Sequence, residues 1–272
     1  MEIKQLIGSG LYRIKSEQPL IHQITNQVSM NDCANATIAV GASPIMTSHP
    51  WEVADIAGKA QALVLNLGTL QESSVDAMLR AGKAAAERGA PIVFDPVGAG
   101  GSGFRSEAAM AVLAKVPVSV IRGNVSELRY LVYGEHTGRG VDSGAEKPMS
   151  CEEIGELARR MEAVVAVTGE VDYISDGQET YMIHNGTPFL RLITGSGCMT
   201  TALTGAFAAV MPPLEAAAAG ALMMGLAGEL SAAQTQEENG GPGTFRVHLH
   251  DWLYKIDKTI IMEKGRIEYH EK

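Results

Sequence analysis

The chain has 272 residues, 46% hydrophobic and 19% charged, enough for one large α/β domain or two small ones and too apolar for a disordered segment. Its 22 basic and 31 acidic residues leave a net charge of -9 with no Lys/Arg block, which argues against nucleic acid or an anionic membrane as partner. Three cysteines, Cys33, Cys151 and Cys198, form neither a disulfide framework nor a CxxC metal pair and fit the reducing cytoplasm.

Residues 1–10 lack the apolar core of a signal peptide. Short apolar runs at 20–24, 43–46, 62–67, 91–95, 119–122 and 164–168 read as strands. They are mostly β-branched or aliphatic and do not alternate, as expected of strands covered on both faces. Helical patterns between them, such as 71–88 and 151–162, give the alternation of a mostly parallel α/β sheet with helices on both faces. After Thr168 the rhythm changes. Asp176-Gly177 and Asn185-Gly186 are tight-turn dipeptides separating strands at 173–175, 180–184 and 189–193, which predicts an antiparallel meander at one sheet edge.

Two Ala-rich helices, 198–210 and 214–233, follow on either side of Pro212-Pro213. They are apolar nearly all round and so belong in the core or in a subunit interface. The most apolar run, 216–228, is shorter than the about 18 residues a membrane span needs. The tail from Ile256 suggests a closing hairpin around Lys264-Gly265. No repeat or linker divides the chain, so residues 1–272 read as one domain.

Chemistry concentrates where strands end. Residues 95–103 (DPVGAGGSG) contain a formal GxGxxG at Gly98, Gly100 and Gly103. A nicotinamide-dependent oxidoreductase would use such a turn, but its glycines would begin right after the strand and an acid would end the next strand. Here Asp95-Pro96 intervene and the next predicted strand ends at Arg122. There is no Walker A loop either. A second glycine turn, Thr194-Gly195-Ser196-Gly197-Cys198, precedes an apolar helix. It is either a tight strand-to-helix connection or a nest of N–H groups for an anion.

Arg122 leaving its strand can clamp a phosphate, and the nearby Asn124 and Glu127 can hold Mg²⁺ through water. The competing reading makes Asn124 a helix cap with Glu127 in the first turn. Asp95, Arg122, Glu127, Thr168 and the 195–197 turn together match phosphoryl transfer, where positioning and charge stabilisation do most of the work. His22 fits a satisfied core histidine, and the Met223-Met224 pair fits core packing.

Seven segments in order carry a resemblance: HQITNQVSMNDCAN (22–35), GASPIM (41–46), LNLGTL (65–70), DPVGAGGSGFR (95–105), IRGNVSEL (121–128), VTGEVD (167–172) and TGSGC (194–198). Over essentially its whole length the chain resembles the hydroxyethylthiazole kinases of the ribokinase-like superfamily. The resemblance implies a ribokinase-like fold without a lid domain. It implies ATP- and Mg²⁺-dependent phosphorylation of the primary alcohol of 4-methyl-5-(2-hydroxyethyl)thiazole, a step toward thiamine, by a cytoplasmic homotrimer with active sites between subunits.

Position by position, Asn26, Met46 and Gly195 would contact the thiazole, and Arg122 and Thr168 the ATP. Asp95 and Glu127 would organise Mg²⁺, and the turn through Gly197 would form the anion hole. Cys198 stands where the wider superfamily carries a catalytic Asp. It can be a structural cysteine, a nucleophilic thiolate, or a weak base in the base position. The last reading fits best, because a loose transition state keeps the alcohol proton until late. A catalytically silent nucleotide sensor on the same fold is the alternative that the Asp-to-Cys difference allows.

Overall fold

The computed structural model describes residues 2–134 and 149–271. The chain opens with α1 (Ile3–Glu17), β1 (Leu20–Ile24), α2 (Met30–Ala39), β2 (Ser43–Ile45), α3 (Val53–Ala57), β3 (Ala62–Asn66), α4 (Glu72–Arg88) and β4 (Ile92–Asp95). It continues through α5 (Gly103–Lys115), β5 (Val120–Asn124), α6 (Val125–Tyr133), α7 (Cys151–Met161), β6 (Val164–Thr168), β7 (Asp172–Ser175) and β8 (Glu179–Ile183). A 3₁₀ turn (Pro188–Leu192), α8 (Ser196–Ala208), α9 (Pro213–Glu237), α10 (Pro242–Lys255), α11 (Lys258–Lys264) and β9 (Ile267–Glu271) complete it. Among the described residues all strands belong to one nine-stranded sheet, ordered β2-β1-β3-β4-β5-β6-β7-β8-β9, and none forms a lid. Pairings from β2 to β6 are parallel, and those from β6 to β9 are antiparallel.

The unbroken apolar strands are explained by two cores. Along β3, Ala62 and Val64 face the core under α1, α2, α8, α9, α10 and α11. Leu63 and Leu65 face the other, under α3 to α7. Successive side chains of a strand point to opposite faces, so a strand covered on both sides is apolar at every position. The Ala-rich pair α8 and α9 are core helices, as their composition implied. The 25 residues of α9 are long and apolar enough to cross a membrane, yet its most apolar window is 83% buried. Local signals set the helix starts. Gln71 with Ser74, Asn124 with Glu127 and Ser150 with Glu153 form capping boxes for α4, α6 and α7.

The meander departs from expectation in its third strand. Asp176-Gly177 closes the β7–β8 hairpin, with Gly177 at φ +95° and Asp176 Oδ1 accepting the N–H groups of Gln178 and Glu179. The predicted strand at 189–193 is instead the 3₁₀ turn, entered through Thr187 and Pro188, whose ring removes a ladder donor. The free edge of β8 is taken by β9, so the tail forms α11 and a ninth strand rather than a closing hairpin.

Asn185 makes no turn of its own. It is buried, donates to Glu229 and to the Lys264 carbonyl, and accepts the Arg266 N–H at 2.7 Å, which fixes the entry to β9. Asn185→Ala takes this partner from the Lys264 carbonyl and the Arg266 N–H, while Glu229 keeps Gly186 and Arg266. It should lower unfolding free energy by about 2–4 kcal/mol in urea titrations followed by circular dichroism. A change indistinguishable from zero would mean that β9 is held by its ladder alone.

Candidate active site

Parallel strands deliver their carboxyl ends to one edge of the sheet, so β1, β3, β4, β5 and β6 bring Asn26, Asn66, Asp95, Arg122 and Thr168 to the same side. Asn66 and Asp95 are register partners across β3 and β4. The start of α8 meets this edge.

Asp95 is fully buried. Its Oδ2 accepts from Thr201 Oγ1 at 2.7 Å and Asn66 Nδ2 at 3.0 Å, and lies 3.6 Å from Arg122 Nη1. Its Oδ1 is buried with no partner. Burial pushes the Asp95 pKa up, and Arg122 and the hydrogen bonds pull against it. Arg122 donates through Nη2 to Thr168 Oγ1 at 2.8 Å, and Thr168 in turn donates to the Gly123 carbonyl.

The guanidinium lies against the first turn of α8. A Cβ on Gly197 would sit 2.6 Å from Arg122 Nη1. Gly195 takes φ +84°, and a Cβ there would meet Ser29 Cβ at 2.6 Å. Gly195 needs glycine by both its φ and its space, whereas a side chain at Gly197 would displace the guanidinium. The first intrahelical bond of α8 runs from Met199 N to the Gly195 carbonyl, so the amides of Ser196, Gly197 and Cys198 lie ahead of the ladder. A cation at the positive end of a helix is a repulsive pairing unless an anion joins them. Within the protein Asp95 is the anion that offsets this pairing.

Glu127 joins two loops. Its Oε1 accepts from Gly98 N at 2.7 Å and its Oε2 from Asn124 N at 2.9 Å. Its pKa is pushed up to about 7, first by burial and then by Asp95, against those two N–H groups. The cap reading of this segment is the one the geometry shows, since Asn124 and Glu127 form the capping box of α6. Arg105 Nη1 ties the glycine loop further, donating to the Leu67 and Val97 carbonyls, and Gly100 N donates to Ser106 Oγ. The amides of Gly98 and Gly100 that a dinucleotide would use are thus engaged within the protein.

Cys198 is partly buried, and its Sγ receives Asn26 Nδ2 at 3.1 Å and Asn66 Nδ2 at 3.3 Å. Burial and the nearby Asp95 push its pKa up, which leaves a neutral thiol. The thiolate reading loses support on that ground. Asn26 gives its other contacts to Asn66 and Ser29, so it shapes the pocket wall through a side chain already bonded within the protein. Met46, just past β2, packs partly buried on the same core as Cys198. His22 is fully buried with Nε2 at 2.9 Å from the Thr47 carbonyl, and burial lowers its pKa; it is a core histidine, but its buried Nδ1 has no partner, so it is only half satisfied.

Sequence reasoning missed Asn66 and Thr201, each a polar residue within an apolar element, and Asp172 at the start of β7. Asp172 Oδ1 accepts the Gly169 N–H at 2.9 Å, closing the turn after Thr168. Burial raises its pKa to about 6, with Gly169 and Arg122 opposing. A carboxyl with a raised folded pKa stabilises most below its unfolded value of about 3.9 and loses that contribution as pH rises through 6. Asp172→Asn keeps the acceptor for Gly169 and removes the charge. It should raise the unfolding free energy at pH 8 by on the order of 1 kcal/mol, read as a higher thermal midpoint, and leave pH 4 almost unchanged. Equal midpoints at pH 8 would contradict the buried-charge account.

Residues 11–259 match the hydroxyethylthiazole kinase family. A hydroxyethylthiazole kinase from Ruminiclostridium cellulolyticum is 43% identical over 270 residues, 98% of each chain. The structure of a hydroxyethylthiazole kinase from Pyrococcus horikoshii superposes with a TM-score of 0.85 at 37% identity, covering 98% of this chain and all of that one. A ribokinase-like superfamily protein from Enterococcus faecalis, only 10% identical, shares the fold with a TM-score of 0.63 over 90% of this chain and 89% of its own. The first turn of α8 is therefore carried on a ribokinase-like sheet, and the chain belongs to the hydroxyethylthiazole kinase family.

Proposed function

We propose that this single-domain chain transfers the γ-phosphoryl group of ATP to the primary alcohol of 4-methyl-5-(2-hydroxyethyl)thiazole, giving the phosphate ester used to make thiamine. The observation that carries the reading is the Arg122 guanidinium seated against the first turn of α8, beside a buried Asp95. Arg122 and Thr168 hold the ATP phosphates. The Gly195–Cys198 amides face the oxygens of the group in flight. The alcohol oxygen forms its bond to phosphorus as the bond to ADP breaks, and the alcohol proton leaves late. Gly195, Met46 and the Asn26 wall bound the thiazole. Cys198 stands at the alcohol as a neutral, weakly basic group, and charge stabilisation carries most of the rate.

The donor set suits Mg²⁺. Asp95 Oδ1 is a buried carboxylate oxygen without a partner, free to meet a cation. Among the described residues no group of three or more His, Cys, Asp or Glu forms a closed cage. Mg²⁺ characteristically binds through one or two carboxylates and leaves its remaining positions to water and phosphate. Asp95 would hold the ion directly, and Glu127, with both oxygens already accepting backbone N–H groups, would hold it through water. When bound, the ion neutralises charge on the β- and γ-phosphates.

We further propose a cytoplasmic homotrimer with its sites between subunits. In support, Val28 is 63% exposed, Ile38 56% and Trp51 86%, and these large apolar side chains flank Asn26 and Met46 along the chain.

The direct test is ADP release with hydroxyethylthiazole, compared with hydroxymethylpyrimidine and ribose. Turnover should favour the thiazole and require Mg²⁺-ATP, while NAD should neither bind nor compete. Equal inactivity with all three alcohols, alongside tight ATP binding, would favour a nucleotide sensor. Arg122→Ala should raise the KM for ATP by about tenfold or more and leave the KM for the thiazole within about twofold. Loss of thiazole affinity alone would displace Arg122 from the nucleotide side. Cys198→Asp should retain turnover, because Asn26 and Asn66 present N–H donors to whichever acceptor stands there. Complete loss in a folded variant would remove Cys198 from the base position.

A further inference from the structure

Asn66 ends β3 at 1% exposure, and its carboxamide touches four groups. Oδ1 accepts from Gly68 N at 2.9 Å and Asn26 Nδ2 at 3.0 Å, while Nδ2 donates to Asp95 Oδ2 at 3.0 Å and Cys198 Sγ at 3.3 Å. Which way an amide faces is settled by partners that can play only one role. Gly68 N is a donor, so Asn66 must turn its oxygen to it and its NH₂ toward Asp95 and Cys198. The same logic fixes Asn26. Its Oδ1 accepts the backbone N–H of Ser29 at 3.0 Å, so its NH₂ faces Asn66 and the sulphur. Each NH₂ carries two hydrogens, and each has two acceptors. No other assignment satisfies the set.

Two groups from distant elements are therefore held by one rigid amide. Asp95 closes β4, Cys198 lies in the first turn of α8, and Asn66 joins them from β3. A Cβ on Gly68 would sit 2.6 Å from Asn26 Cβ, so the Gly68 backbone lies directly against the Asn26 side chain. We propose that Asn66 is a positioning residue of the phosphoryl transfer, setting the separation between the Cys198 sulphur and the Asp95 carboxylate through the two hydrogens of one NH₂ group. This rests on the kinase reading. Because the sulphur already receives two N–H donors, it is a held acceptor, poorly placed to take a further proton. Asn66 acts through Cys198 and Asp95 and is not offered as a group that touches the alcohol.

The test uses Asn66→Asp, which keeps size and the oxygen facing Gly68 but lacks both hydrogens, and Asn66→Ser where the new carboxyl prevents folding. Circular dichroism and thermal midpoints establish the folded state. The kcat should fall by about 100-fold, with the KM for ATP and for the thiazole within about threefold. In a Cys198→Ala background the same substitution should cost about tenfold less, since part of its effect runs through the sulphur. Additive losses, or a change confined to KM, would overturn the proposal.

A second readout needs no turnover. Alkylation of Cys198 by iodoacetamide at fixed pH, followed by peptide mass, should slow by about fivefold or more in Asn66→Asp, because the thiolate loses a donor and gains a neighbouring acid. An unchanged alkylation rate would also overturn it. Wild-type inactivity toward hydroxyethylthiazole would instead refute the kinase reading, with alkylation still reporting on Asn66.

Discussion

The contact on which the site depends is the Arg122 guanidinium held between the buried Asp95 and the first turn of α8. Full burial of a carboxylate costs several kcal/mol unless partners compensate. Asp95 has Arg122, Thr201 and Asn66. Arg122 has a second neighbour of the same sign, since the unladdered amides of α8 form the positive end of that helix. Glu127 and Asp172 are two further carboxyl groups within reach of the Arg122 field, so the guanidinium is the centre of a compact set of opposed charges. Gly197 is the steric condition, because any side chain there would push the guanidinium off the helix.

Fold and site share components around this contact. Glu127 caps α6 and also anchors Gly98, so one carboxylate fixes the start of a helix and the course of a loop from the neighbouring strand. Thr201 lies inside a buried helix and donates its one hydroxyl hydrogen to Asp95 at 2.7 Å, with the Gly197 carbonyl, back along the helix, 3.2 Å from the same oxygen. The depth of α8 in the core and the alignment of its first turn are therefore linked. The Ala-rich character of α8 and α9 serves the same end, since small side chains let both helices lie close to the sheet.

Much of this was legible in the sequence because its physics is local. The runs at 20–24 and 164–168 coincide with β1 and β6, since only strands covered on both faces tolerate such continuous apolarity. Asp176-Gly177 was readable because Gly177 needs a positive φ. Asn185-Gly186 has the same composition and a different role, set by Glu229, Lys264 and Arg266 far along the chain. β9 left little trace because it is an edge strand, mostly exposed, with Ile267 its innermost residue. In the site, Asp95 and Arg122 could be found from their places on strands. Asn66 and Thr201 could not, because what marks them is pairing across 29, 106 and 132 positions with Asp95 and Cys198.

The cysteine at 198 follows from its surroundings. A carboxylate there would share a low-dielectric space with Asp95, and like charges held together push a proton onto one of them. A neutral thiol avoids that conflict and still offers an acceptor to the amides of Asn26 and Asn66. What is given up is basicity. A loose transition state requires little of it while the alcohol keeps its proton, so the loss falls where the reaction is least sensitive. The gain is an uncharged neighbour for Asp95, and a carboxylic acid at 198 would reach the same neutrality by taking up the proton itself. In this site, then, weak base chemistry at one position leaves strong electrostatics available at the other.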